Sequence, residues 1–510
     1  MCLLYRVVMK RGHRQLEGGL EEGEGLKILL VNPDISGVSV GFSSLARVAP
    51  MGLLMVAGSV PEHECRILDM RLEMNSALEE ALRDFHPNVI GLTAYSAEAD
   101  AAKALAQRAK QVLPNVPIVW GGYHATMALD DVLSEPCVDF AVRGEGEATF
   151  PELIEAIARG GPYDGIAGIA FRRDAQTVLT PPRPQIADLD TLPFPSWDLV
   201  ARYQPYYYLG VMGTVGCVES TRGCPHNCSF CSVWVFNQRR YRKKSPRRVI
   251  AELERLPDGI QIAAFVDDEF WVDASRALEI ATLIDERNRA GWRGSGWNYW
   301  AQVRSDDIAR RPELVERWAK VGLKVLLVGI ESLKKGELRS LHNKRTTVSD
   351  AVQALAIMRQ NAVEPWGCFI INPEWREKDF DDLREFVLQQ KMALLQYTVL
   401  TVLPGTVLAA QLQQRKGIKV SDIPNSLLDF LHATYPPPRL PLPQFYEQIA
   451  RLYRETGLAI PSLYRRLVRN RVISREWLKS EIGRQVVTLF GQLSKPSAYL
   501  KAHRLLGERV

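Results

Sequence analysis

At 510 residues the chain is too long for one ordinary core, and 46% hydrophobic with 24% charged residues is the balance of a multidomain globular protein. No apolar run approaches the roughly 18–20 residues of a bilayer span, which excludes a helical integral membrane protein. The net charge of +5 is uneven: residues 445–510 hold 13 Lys/Arg against 5 Asp/Glu, so the remainder carries 51 against 54. A basic tail of this kind can rest on an anionic membrane surface, or simply solvate a terminal helix.

The chain opens with an apolar stretch, Met1 to Tyr5, ahead of Lys10 to Arg14, the reverse of a secretory signal, so the expected location is the cytoplasm, with the inner face of the membrane as a peripheral site. Residues 1–25 lack periodicity and are expected to be a disordered leader. Leu26 to Pro33 and Cys65 to Asp69 then read as strands flanking a helix near Met51 to Ser59. Val89 to Thr93 and Ile118 to Gly122 continue the alternation, the second after the Ala-rich helix Ala97 to Val112. Residues 26–160 are therefore expected to form a doubly wound, Rossmann-like parallel sheet covered on both faces. Ligands of such sheets collect at strand ends, so Asn32 to Gly41, Thr93 to Ala97 and Gly121 to Thr126 should line one rim, joined by the flexible turn Gly144 to Glu147. A glycine pair at a strand end admits a ligand close to the backbone, although such turns also serve as plain punctuation.

Residues 161–215, rich in proline and aromatics, read as an ordered connector. Cys224, Cys228 and Cys231 follow within eight residues, whereas Cys2, Cys65, Cys137 and Cys368 stand alone. Three thiolates from one loop can hold three irons of a [4Fe-4S] cubane and leave the fourth iron open. Zinc sites usually add a second Cys or His pair, and none follows, although Cys217 could complete a four-cysteine site. Helix and strand patterns then alternate from Pro246 to Val402, as six units of a partial (β/α)6 barrel over residues 216–430. Asp267, Asp268, Glu269, Arg304, Glu331 and Ser332 fall at its strand C-termini, the expected catalytic rim. Residues 431–510 form a basic, mainly helical extension.

The series Pro50-x-Gly52-Leu53, Ile90 to Thr93, Gly121 to Thr126 and Arg143 to Glu147 resembles the cobalamin-binding domain that precedes radical S-adenosylmethionine (SAM) domains, and the cysteine loop with its aromatic Phe230 resembles the radical SAM family. The resemblance implies that Thr93, Gly121, Gly122, Tyr123 and Glu145 meet cobalamin. It implies that SAM binds the open iron, with Phe230 near its adenine, Glu331 in contact and Arg304 toward its carboxylate. The Asp-x-His-x-x-Gly motif that supplies a cobalt ligand elsewhere is absent, and His124 is no substitute for it.

This architecture suggests methylation of an unactivated carbon: one SAM supplies the methyl group by way of cobalamin, and a second is cleaved reductively to the radical that abstracts hydrogen. An electron donor such as flavodoxin or ferredoxin is implied, and no nucleic acid. Phe369 to Trp375, Leu400 to Thr406, Leu431 to Thr434 and Arg439 to Pro443 look like the hopanoid C-3 methylases, which implies a large apolar small-molecule substrate. A tetrapyrrole methylase or oxidative cyclase of the bacteriochlorophyll type, and a non-catalytic cobalamin-binding protein, are the alternatives.

Overall fold

The computed structural model describes residues 25–34, 46–173, 176–341 and 346–507. The expected leader, apart from Gly25, and most of the rim loop Asn32 to Gly41 lie outside the described residues. In the first part of the chain the strands are β1 (Lys27–Asn32), β2 (Ala46–Arg47), β3 (Glu64–Asp69), β4 (Val89–Thr93), β5 (Ile118–Gly121), β6 (Phe140–Val142), β7 (Ile169–Arg173) and β8 (Gln176–Leu179). Seven of them form one sheet in the order β3-β1-β4-β5-β6-β7-β8. The first five are parallel, and β7 and β8 return antiparallel.

The near-continuous apolar runs follow from burial on both faces. Ile28 and Leu30 of β1 pack with Leu53, Leu54, Leu153 and Ile154, from helices Met51–Gly58 and Gly146–Ala158. Leu29 and Val31 point the other way, to Leu78, Leu82, Ala102 and Ala106 of helices Ala77–Phe85 and Ala99–Val112. The strand order reverses between β1 and β4, which opens a ligand crevice at their C-terminal ends.

The second part contains β9 (Tyr208–Leu209), β10 (Gly213–Val218), β11 (Thr221–Arg222), β12 (Arg242–Lys243), β13 (Ile262–Phe265), β14 (Asn298–Arg304), β15 (Leu323–Glu331), β16 (Glu364–Ile371) and β17 (Leu394–Val399). Its sheet runs β17-β16-β15-β14-β13-β10-β9-β2. The six strands from β10 to β17 are parallel to their neighbours, as the six-unit reading requires. β17 and β10 do not pair with each other, so the barrel is open.

Side-chain parity marks the lumen. Tyr299 packs on Trp318 of the covering helix Pro312–Lys320, and Phe369 on Phe386 of helix Glu377–Gln389, so their even-numbered neighbours face inward. Gln302, Arg304, Cys368, Ile370 and Thr398 keep accessible area in mid-sheet or at strand ends for that reason, and on β15 the accessible positions are the odd-numbered Leu327 and Glu331.

The connector departs from the sequence expectation. Part of it supplies β7 and β8 to the first sheet, and Tyr208 and Leu209 supply β9 to the second. Polar residues on the outer hairpin, Arg172, Arg173, Gln176 and Thr177, hid these strands from an apolar pattern. β2, which lies in the chain between two strands of the first sheet, pairs with β9 in the second. The C-terminal region is helical as expected, through Leu442–Glu455, Pro461–Arg469, Arg475–Lys479, Glu481–Leu493 and Pro496–Leu505.

Candidate active site

The cysteine loop springs from the β10 end and is held by side chains and turns around it. Asp267 accepts from the backbone N–H of Ser220 (2.6 Å) and Thr221 (2.7 Å) and from the Ser220 hydroxyl (2.5 Å). Gly223 has φ +86°, and a Cβ there would stand 2.1 Å from the Arg240 carbonyl, so the turn into Cys224 requires glycine. Farther on, Cys231 N–H donates to the Cys228 carbonyl (3.1 Å), as does the Trp234 indole (2.9 Å). Leu408 N–H, from the far edge of the barrel, donates to the Ser229 carbonyl (2.8 Å).

All three sulfurs belong to half-buried residues. Burial, with Asp268, Glu269 and the neighbouring thiols, pushes Cys224 up to about 12, and burial with Cys228 and Asp268 does the same for Cys231. Three thiols offered from one loop are the donor set of a [4Fe-4S] cluster that keeps one iron open. Cys217 lies apart in β10, 2% exposed, its thiol raised to about 12 by burial alone.

Asp268 and Glu269 follow the β13 end. Asp268 accepts from Gly223 N–H (3.2 Å) and is raised to about 7 by burial, Asp267 and Glu219. Glu269 accepts from Arg304 N–H (3.0 Å), and Arg304 Nε donates to Asp306 (3.0 Å). A cavity of ≈ 540 Å³ is lined by Cys224, His226, Trp234 and Arg304 among others. Glu331 ends β15 at φ +70°, a conformation seldom held by a non-glycine residue, and pairs with Phe369 across a register shift to β16, which places it at the rim. Phe230 packs against the cluster of Leu400, Val402 and Leu403, together with Ile370.

The glycine rim of the first sheet lies against this loop. Gly122 has φ +87°, and a Cβ there would come 2.5 Å from Thr93 Oγ1; a Cβ on Gly144 (φ +81°) would meet nothing within 4 Å. Tyr123 stacks on Phe236, five residues beyond Cys231, with centroids 5.0 Å apart and planes at 12°. Tyr95 flanks it at 5.9 Å and keeps 66% of its area accessible. Among the described residues, this glycine-floored and aromatic-walled rim leaves room for a broad planar ring. His124 is fully buried below it, with Nδ1 bonded to Ser96 Oγ (3.1 Å) and Nε2 to Asp131 (2.9 Å), so both ring nitrogens are engaged.

Glu145, expected at the cobalamin face, is instead occupied in an ion-pair cluster between the two sheets. It accepts from Arg222 (2.7 Å), Arg242 (2.8 Å) and the Ile186 N–H (2.8 Å), while Arg222 also pairs with Glu147 and Glu219. The sequence reading missed Arg222, Arg242 and Glu147. The one available signal was an arginine two residues before the first cysteine, in a chain whose glycine turn carries two glutamates.

Residues 37–154 match the B12 binding domain family, and residues 218–387 match the Radical SAM superfamily. The hopanoid C-3 methylase of Methylococcus capsulatus is 30% identical over 411 residues, 79% of this chain and 76% of that protein. The anaerobic magnesium-protoporphyrin IX monomethyl ester cyclase of Synechocystis is 28% identical over 366 residues, 70% and 71% of the two chains. In fold, the chain is similar to the cobalamin-dependent S-adenosylmethionine radical enzyme OxsB solved with aqua-cobalamin and S-adenosylmethionine bound, at a TM-score of 0.68 and 14% identity over 95% of this chain and 75% of that one. With its B12 binding domain set against a radical SAM barrel, the chain belongs to the cobalamin-dependent radical SAM enzymes, whose cofactors are cobalamin, a [4Fe-4S] cluster and SAM.

Proposed function

We propose that the chain methylates an unactivated carbon of a large apolar molecule, a hopanoid at C-3, in a site between the two sheets. One observation carries the reaction type: Tyr123 of the glycine rim stacks on Phe236 of the cysteine-loop segment, so the two cofactor rims face each other at contact distance. When bound, the cluster and SAM supply a hydrogen-abstracting radical and cobalamin supplies the methyl group.

The chain's own residues divide the work. Cys224, Cys228 and Cys231 offer three thiolates to the cluster. Phe230 walls the adenine, Glu331 holds SAM from the β15 end, and Arg304 meets its carboxylate. Thr93, Gly121, Gly122 and Tyr123 form the bed for cobalamin, while Glu145 acts at one remove by tying that bed to the cysteine loop. In this reading the cobalamin unit is residues 26–160, extended by β7 and β8, and the barrel is 216–430.

The hopanoid assignment is supported by the likeness to the methylase of M. capsulatus and by apolar lumen positions such as Leu327 and Ile370. Membrane presentation is supported by the exposed Arg465, Arg469, Arg471 and Arg475; Arg466 is engaged with Glu364 instead. Each such cation near an anionic surface contributes about 1 kcal/mol. A flavodoxin or ferredoxin supplies electrons. The test is expression in a hopanoid-producing host that lacks the methylase, with mass spectrometry of its lipids. New 3-methylhopanoids support the proposal. Unchanged hopanoids beside an altered tetrapyrrole in a pigment-producing host move it to the cyclase reading, which the Synechocystis likeness favours.

A further inference from the structure

We propose that the end of the barrel opposite the cysteines holds a second small-molecule site, for a neutral, mainly apolar molecule that carries a hydrogen-bond acceptor. The proposal is independent of the substrate assignment. A cavity of ≈ 490 Å³ lies there, lined by Gly210, Met212, Trp366, Leu394, Tyr453 and Leu458 among others. That size is within the ordinary range of ligand pockets. Trp366 lies five residues before the end of β16, so at roughly 3.3 Å per residue the cavity is about 16 Å from the catalytic rim.

Its walls come from three places. The β9–β10 turn brings Gly210 and Met212, β16 and the start of β17 bring Trp366 and Leu394, and the C-terminal helices bring Tyr453, Leu458 and Gly491. The two edges of the open barrel thus face each other across the cavity, and the helical extension covers the gap between them. Strand parity turns the Trp366 side chain inward: Phe369 packs outward on Phe386, and a Cβ on Gly367 would meet Met392.

The hydrogen-bonding groups define what fits. The hydroxyls of Tyr453, Thr456 and Ser494 already donate to the carbonyls of Tyr397 (3.5 Å), Leu452 (2.5 Å) and Gly491 (2.7 Å). Arg454 donates to the Ser494 carbonyl (3.0 Å) and pairs with Glu447. The Trp366 indole N–H, in a residue only 4% exposed, has no acceptor among the described residues. A buried donor left unmet is costly, and an acceptor on an occupant would remove that cost. Water is a poor occupant, because an ordered water needs two to four polar partners and the walls are mostly apolar. With Arg454 already paired, no charged group selects a charged ligand.

The experiment is calorimetric titration of the reconstituted holoenzyme with 2-nonanone, a neutral alkyl ketone. Binding at one equivalent is expected. Trp366→Phe, which keeps the ring and removes the donor, should weaken it about three- to tenfold, the range of one neutral hydrogen bond. Gly491 lies in helix Glu481–Leu493 and lines the cavity, and a Cβ there would meet nothing within 4 Å among the described residues, so Gly491→Phe is the variant chosen to fill the cavity from its wall. That variant should lose binding while its melting temperature and SAM cleavage stay at wild-type values. No binding by the wild type, equal affinity in Trp366→Phe, or undiminished binding in a folded Gly491→Phe each overturns the proposal, the last by placing the ketone elsewhere.

Discussion

Replacing Glu145 with glutamine tests whether the ion-pair cluster between the sheets supports the catalytic loop. The side chain is 7% accessible and accepts from Arg222, Arg242 and the Ile186 N–H at 2.7–2.8 Å. The amide keeps the shape, removes the charge and turns an NH2 toward one of the arginines. Breaking a buried pair costs about 3–5 kcal/mol. Arg222 retains Glu147 and Glu219, and Arg242 retains Asn237 and the Ile186 carbonyl, which puts the cost at the low end, about 3 kcal/mol. At about 1 °C per kcal/mol for a cooperative chain of this length, scanning calorimetry should show the main transition lowered by about 3 °C at pH 7.

The acid limb gives a second reading of the same variant. Burial works to raise the Glu145 pKa, but Arg242 and Arg222 outweigh it and hold the carboxyl below its ordinary range. The stabilisation is therefore present above the unfolded carboxylate pKa of about 4.3 and lost as pH falls through the folded value. Wild type should lose stability more steeply than Glu145→Gln below about pH 4.3, and the two curves should converge. A difference under about 1 °C at pH 7, or parallel acid limbs, would refute the reasoning.

Alanine at Cys224, Cys228 or Cys231 should each abolish the iron signal and 5′-deoxyadenosine formation, whereas Cys217→Ala, in a strand apart from the loop, should keep both; full activity in a triad variant would break the ligand assignment. Gly122→Val adds a branched side chain where even a Cβ lies 2.5 Å from Thr93 Oγ1 and φ is +87°, so bound corrin absorbance after reconstitution should fall at least tenfold while iron content holds. Glu331→Gln should weaken SAM binding by tenfold or more with the cluster intact, and unchanged binding by equilibrium dialysis would remove Glu331 from the SAM site.

Most of the scaffold was legible because the central strands of both sheets are parallel and buried, which makes each an apolar run between amphipathic helices. β1, β3, β4, β5 and five of the six barrel strands were found within a few residues for that reason, while β10 was hidden at the end of the connector. The hairpin β7–β8 and the two-residue strands β2 and β9 were not, since edge strands with polar outer faces carry no such run. The cysteine loop was legible as chemistry in its own spacing. Glu145 was misdirected toward the ligand because a glycine-flanked acid at a strand end looks the same whether it meets a cofactor or a salt bridge. Only the fold brings Arg222 and Arg242, 77 and 97 residues away, to its carboxylate.

The exchange of short strands between the sheets bears on how the enzyme can be taken apart. β2 leaves the first sheet's stretch of chain to pair with β9, and β7–β8 come back to cover β6. A fragment cut at residue 160 would keep β6 as a bare edge and carry β2 with no partner, so it should aggregate rather than behave as a transplantable cobalamin module. The joint that would serve as a hinge is stitched from both sides by hydrogen bonds and a charge cluster. Cuts for chimeras therefore belong after β8, with residues 46–47 grafted along with the barrel.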